Sequence, residues 1–343
     1  MPFDSILGQS AAVGTLEQML RSGRVHHAMR FEGPHGIGKE MAAMAFAHAL
    51  VCTEGGTSGS TSGSTSGNAL GCGVCSACRR AVTMGDGVPA VPMHPDVIFL
   101  ERGLYPHEMI GRLRDEAQDL SVDQVRTVVL ERAAFPPHEG RARVYIVRRA
   151  EELSISAGNA LLKTLEEPGS STHFILLVAR PGKLLSTIRS RTLRIRFAPL
   201  HDDVLRKILE QRGIRPEETD RVIPLCGGSA SVALELADEG ASRDRDAFVK
   251  QAFDALASTD SSASLSLAES LGKDKPLLKL HLEALAIRFA QRARERVMRG
   301  DIAARLDAKR HAIVLSALAG LERNASTALT VENMMLRMRA ETG

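Results

Sequence analysis

Gly33, Gly36, Gly38 and Lys39 fall within GPHGIGKE, residues 33–40, between an apolar run that reads as a strand and a segment with helical spacing. In that setting glycines let backbone N–H groups close around phosphate oxygens, the helix N-terminus favours the anion, and the lysine neutralises it. Position 40, however, is Glu, where a hydrolysing loop presents a Ser or Thr hydroxyl to Mg²⁺, and a carboxylate beside phosphates repels them. The residues leave two readings open: a seat for ATP or ADP, or an empty strand-to-helix turn. Hydrolysis is not expected in either case. The metal and the attacking water need acids at the end of a neighbouring strand, and the apolar run 144–147 leads instead into Arg148 and Arg149, which read as solvated charges at a strand terminus. Glu151 and Glu152 follow three residues on, beyond the strand end, so a register shift does not restore them.

A second constellation is Cys72-Gly-Val-Cys75-Ser-Ala-Cys78, with thiols at the two-residue gaps that wrap a chain around one tetrahedral ion. In a reducing compartment this spacing points to a metal rather than to disulfides. Cys52, at the end of the segment after the phosphate loop, is the best fourth ligand for Zn²⁺, and a site completed by His48 or a reduced cluster without metal are the alternatives. Cys226 stands apart as a small core residue. A third group is Arg189, Arg191, Arg194 and Arg196, four arginines in eight residues. Arg194 and Arg196 alternate with Leu193, Ile195 and Phe197, which suggests an edge strand and leaves Arg191 projecting from the turn before it.

Positioning these groups requires alternating strands and helices. HAMRFEGP (27–34), DVIFL (96–100), RVYIV (143–147) and HFILLVA (173–179) read as strands, and KEMAAMAFAHALV (39–51) and SAGNALLKTLEE (156–167) as helices, the second ended by Pro168. The order predicts a parallel sheet with helices on both faces. Residues 55–67 contain Gly, Ser and Thr alone and form an insertion that cannot bury apolar surface. Beyond residue 200 helical periodicity dominates. The predicted domains are an α/β nucleotide-binding-like domain at 1–200 with a zinc module at about 52–78, a small helical lid at 201–243 that ends in a charged linker near 241–246, and an all-helical domain at 244–343.

Over 343 residues, 44 Lys+Arg against 41 Asp+Glu leave a net charge of +3, too little to argue nucleic-acid binding from charge alone. Two Tyr and no Trp make base-stacking platforms scarce, which weighs against a freestanding zinc module that binds nucleic acid. The N-terminus lacks a signal-like segment and the apolar run 174–179 is too short to span a bilayer, so a cytoplasmic protein without membrane contact is expected.

With these residues assembled, the chain resembles the clamp-loader subunits of bacterial DNA polymerase III, an AAA+ family, and within it the delta-prime subunits. The resemblance covers essentially the whole chain and is carried by ILGQ (6–9), HHAMRFEGPHGIGK (26–39), the cysteine cluster, HPD (94–96), GNALLKTLEEP (158–168), IRSRT (188–192) and NASTALTVENMMLRMR (324–339). The tau/gamma motor subunits carry Ser/Thr after the loop lysine, an Asp-Glu pair at the strand end and a lid arginine, where this chain has Glu40, Arg148 with Arg149, and Ser231.

The resemblance implies an AAA+ domain with a zinc-binding module, a lid and a C-terminal collar, and zinc on Cys52, Cys72, Cys75 and Cys78. It also implies a non-catalytic, stator-like role in a hetero-pentamer with tau/gamma and delta subunits that loads the sliding clamp onto primer-template DNA. Arg191 matches the arginine of the family's Ser-Arg-Cys motif, which reaches the ATP of a neighbouring motor subunit, and Thr192 replaces the motif's Cys. The competing reading is a tau/gamma-like motor ATPase.

Overall fold

In a computed structural model, the structure describes residues 3–54, 69–86, 90–105, 119–133, 135–169, 171–258, 267, 275–322 and 325–341. The Gly/Ser/Thr insertion at 55–67 lies outside these. The chain divides into two compact units, Met1–Ala233 and Leu234–Gly343.

Five short runs in the first unit, β1 (Ala28–Glu32), β2 (Val97–Leu100), β3 (Arg143–Val147), β4 (Thr172–Val178) and β5 (Leu193–Arg196), pair into one parallel sheet in the order β2-β3-β4-β1-β5. A parallel sheet must be covered on both faces, which is why its inner strands are near-continuous apolar runs. Every residue of β3 is buried, and Ile146 sits between Phe99 of β2 and Ile175 of β4. Phe31 of β1 lies between Leu177 and Ile195. At the edge, β5 buries Ile195 and exposes its arginines, as their alternation predicts.

The covering helices α1 (Ser10–Ser22), α2 (Lys39–Val51), α3 (Ser76–Val82) and α4 (Ile155–Glu166) follow their sequence signals. In α2 nearly every position is buried, so its small and apolar residues pack all round rather than along one stripe. In α4 the Ser154 hydroxyl caps the N-terminus by accepting from the Ala157 N–H, and Ala157, Leu161 and Leu165 repeat at four-residue spacing on the buried side. A 3-10 turn and the short α5 (Ser186–Arg189) lead into β5. Helices α6 (Asp202–Gln211) and α7 (Pro216–Val222) belong to the first unit, and the boundary between the units falls within α8 (Ala230–Ala237).

The second unit contains α9 (Glu239–Ala257), α10 (Lys275–Met298), α11 (Ala304–Glu322) and α12 (Thr327–Ala340) around Phe248, Leu282, Leu285, Phe289, Val314 and Met335. The charged stretch near 241–246, expected to be a linker, lies inside α9 instead. Its arginines favour helix, and Arg245 is buried with its guanidinium donating to the Leu236 carbonyl at 3.0 Å. Asp307 is fully buried and held by Arg296 at 2.9 Å and Arg292 at 3.5 Å, so its charge is paired rather than stranded. No helix among the described residues is long and apolar enough to cross a membrane.

Candidate functional site

The phosphate loop joins the end of β1 to α2. Gly36 (φ 69°) and Gly38 (φ 97°) adopt left-handed backbone that other residues resist. A side chain at 36 would also strike neighbours, because an ideal Cβ there comes within 1.8 Å of Ser231 Oγ and 2.4 Å of Ser229 Oγ. The Ala230 N–H donates to the Gly36 carbonyl at 2.9 Å, so the GGSAS turn (227–231) lies directly on the loop. Lys39 folds back beneath it: its ammonium donates to the Gly33 carbonyl at 2.5 Å and to that of Pro34. Burial pushes Lys39 down to about 8, opposed by the nearby Glu151 carboxylate.

Beside the loop lies an ion pair. Arg148 at the end of β3 donates to the Glu40 carboxylate and, at 3.1 Å, to Glu101, and its guanidinium lies 4.0 Å from the centre of the Phe99 ring. The reading of both arginines as solvated is thus corrected for Arg148, whose side chain is 17% exposed, while Arg149 is half exposed. Glu40 is not an isolated carboxylate beside the loop, because Arg148 pairs with it. Glu151 turns under the strand ends, where its buried carboxylate accepts from the Ala179 N–H at 3.2 Å and the Arg180 N–H at 3.1 Å. Glu152 lies 3.7 Å from Arg102 and 3.9 Å from Arg149. Both acids after the arginines are therefore engaged by protein groups.

The four clustered cysteines converge. Cys52 at the end of α2 meets Cys72, Cys75 and Cys78, and all four sulfur atoms lie within 4.8 Å of one another. Cys52 and Cys75 are 4.0 Å apart and Cys72 and Cys78 3.8 Å, close to the roughly 3.8 Å edge of a tetrahedron with metal–sulfur bonds of about 2.3 Å. The Cys72, Cys75 and Cys78 N–H groups point at sulfurs of the cluster, the arrangement that stabilises thiolate charge. Burial opposes ionisation of Cys75, but N–H donors from Cys78 and Thr53 and the Thr53 hydroxyl bring it down to about 5, whereas burial and the neighbouring Cys52 and Cys75 push Cys78 up. The donor set fits a metal ion. His48 is not among these ligands: it is buried against Gly71, where burial holds it down to about 4.

Arg191 follows α5 in the turn before β5. Its guanidinium pairs with Glu166 of α4 and donates to the Thr187 carbonyl at 3.1 Å, leaving the side chain 35% exposed. Sequence reasoning passed over Glu166, Ser229 as a neighbour of the loop, and Arg30. Arg30 and Glu32 share one face of an inner strand, and two charges at that spacing in an otherwise apolar run were the signal that something polar lay beside them.

Over residues 8–201 the chain matches the family described as DNA polymerase III, delta subunit. It is 31% identical over 294 residues to the DNA polymerase III subunit gamma/tau of Mycobacterium tuberculosis, covering 78% of this chain and 45% of that protein. It is 26% identical over 229 residues to the DNA polymerase III subunit delta' of Bacillus subtilis, covering 66% of this chain and 59% of that one. The chain thus spans less than half the length of the gamma/tau relative. A crystal structure of a DNA polymerase III gamma subunit-related protein from Thermotoga maritima shares the fold, with a TM-score of 0.55 at 15% identity over 95% of this chain and 98% of that one. The five-stranded parallel sheet with its phosphate loop and the helical C-terminal region is an AAA+ architecture. The chain belongs to the DNA polymerase III delta subunit family.

Proposed function

We propose that the chain is a non-catalytic, delta-prime-like subunit of a DNA polymerase III clamp loader. It supports ATP-dependent loading of a sliding clamp onto primed DNA, in a hetero-pentamer with tau/gamma and delta subunits. The observation that carries this reading is the Arg148–Glu40 ion pair. A motor needs a hydroxyl and an acid converging on Mg²⁺, and here a carboxylate and a guanidinium neutralise each other at those two positions. Residues 201–243 act as a lid and 244–343 as a collar. Arg191 serves in trans, where a guanidinium beside a neighbour's γ-phosphate stabilises the charge of the transition state. Cys52, Cys72, Cys75 and Cys78 hold zinc as a structural ion that braces the module.

The gamma/tau relative, at 31% identity against 26% for delta', favours a second reading, a motor ATPase. Overall identity counts residues that build the sheet and helices, whereas hydrolysis depends on a few positions, and those positions depart from the motor pattern here. The test is reconstitution with gamma/tau and delta subunits. Co-purification of one assembly, with clamp loading and stimulated ATPase both lowered by Arg191→Ala at unchanged assembly and zinc content, is expected. An assembly that loads clamps at the unmodified rate with Arg191→Ala would reduce the residue to part of an arginine-rich surface.

A further inference from the structure

Arg30 is a charged residue on β1, which lies inside the sheet between β4 and β5, and its side chain is only 13% exposed. Its Nε donates to Glu32 at 2.6 Å, which anchors the guanidinium. One terminal nitrogen then lies within reach of three oxygens of a single turn: the Arg189 carbonyl at 2.6 Å, the Thr192 carbonyl, and Thr192 Oγ1 at 3.1 Å. Those oxygens flank Arg191 on both sides. Thr192 Oγ1 in turn donates to the Ile188 carbonyl at 2.9 Å, so one hydroxyl accepts from Arg30 and ties the turn to the end of α5. Glu32 also faces Arg194 of β5 at 3.8 Å, placing an acid between the two arginines.

We infer that Arg30 is a positioning residue for Arg191, with Thr192 as its partner, and that the pair holds the turn so that Arg191 projects toward a neighbouring subunit's nucleotide. The inference rests on the proposed role of Arg191 in trans. A partly exposed arginine must be ordered before it can stabilise a transition state, and small misplacements of catalytic groups cost rate rather than binding. A guanidinium fixed by Glu32 and bonded to both flanks of the turn supplies that order from inside the sheet. It also gives a physical reason for Thr at 192: the hydroxyl serves both as acceptor for Arg30 and as donor to Ile188, roles that a thiol fills weakly.

The experiment uses the loader reconstituted with each variant and measures clamp-stimulated ATPase as kcat and KM. Arg191→Ala sets the size of the effect. Arg30→Met and Thr192→Val are expected to lower kcat with KM for ATP unchanged. Arg30→Met should produce at least roughly half of the logarithmic loss of Arg191→Ala, and in the Arg191→Ala background it should add nothing, as for two residues acting through one group. Thr192→Ser, which keeps the hydroxyl, should match the unmodified loader. A role confined to folding would instead lower assembly and add to the loss in the Arg191→Ala background, which would overturn the inference. If Arg30→Met does not assemble, Thr192→Val decides: unmodified kcat contradicts the inference, and lowered kcat rescued by Thr192→Ser supports it. A loader in which Arg191→Ala lowers kcat while Arg30→Met and Thr192→Val do not refutes the positioning role and leaves the role of Arg191 standing. A loader unaffected by Arg191→Ala refutes the reading on which the inference rests.

Discussion

Arg148 ends β3 with a guanidinium, and two acids and an aromatic ring compensate its partial burial. Arg148→Met should therefore cost stability, because it removes the cation paired with Glu40 and leaves Glu101 only the more distant Arg149 at 3.9 Å. Loss of one partner from a partly buried charged network costs about 1–3 kcal/mol, and denaturant unfolding should show a decrease in that range. An unchanged midpoint would mean that water satisfies both acids equally well. At the thiol cluster, one tightly held zinc per chain is expected, because four sulfurs at near-tetrahedral separations bind one ion and brace a segment with little core of its own. Metal analysis of Cys75→Ser should show loss of zinc and a lower melting temperature; retention of a full equivalent would remove Cys75 from the ligand set.

At the scale of elements, the lower end of the sheet gathers His26 and His27 before β1 and His173 on β4. His26 and His27 stack at 4.6 Å, and His173 Nδ1 is buried without a hydrogen-bond partner among the described residues. Burial lowers the pKa of His26 and of His173, with neighbouring histidines adding to both. Both are then neutral in the folded chain at pH values where the unfolded chain has begun to bind protons. Stability should fall as pH drops below the ordinary histidine value of about 6.5 and continue to fall until the lower folded values are reached. Denaturation midpoints between about pH 8 and pH 5 measure this, and the double variant His26→Gln with His173→Gln should flatten the slope; an unchanged slope would assign the titration elsewhere.

The strands and α2 and α4 were legible because each is a local pattern: short apolar runs, helical spacing, a Ser154 cap and a Pro168 stop. The thiol cluster was legible for the same reason, three of its cysteines lying within seven residues. The contacts that define the other sites were not. Arg148 meets Glu40 across 108 positions, Arg30 reaches the Arg191 turn across about 160, and Ser231 lies on Gly36 only after the chain has crossed the whole sheet. Such pairings arise from strand order, β1 standing between β4 and β5, and periodicity carries no information about which distant charge will fill a site. The arginines at 148 and 149 were visible as an absence of acids; that one is an internal ion-pair partner and the other a half-exposed residue became visible with the fold.

At the scale of the whole molecule, the proposed function puts ATP chemistry in a neighbouring subunit, with this chain as its support. The relatives this chain matches include both gamma/tau and delta' subunits, so catalytic competence must be settled on the chain itself. The most direct measurement is ATP turnover by the purified chain with Mg²⁺, alongside Lys39→Ala. On the proposed function, turnover is expected to be indistinguishable from background in both, because the Arg148–Glu40 pair would stand in the metal's place and Glu151 is committed to backbone N–H groups. Steady turnover in the unmodified chain that disappears in Lys39→Ala would contradict it and establish the chain as a motor.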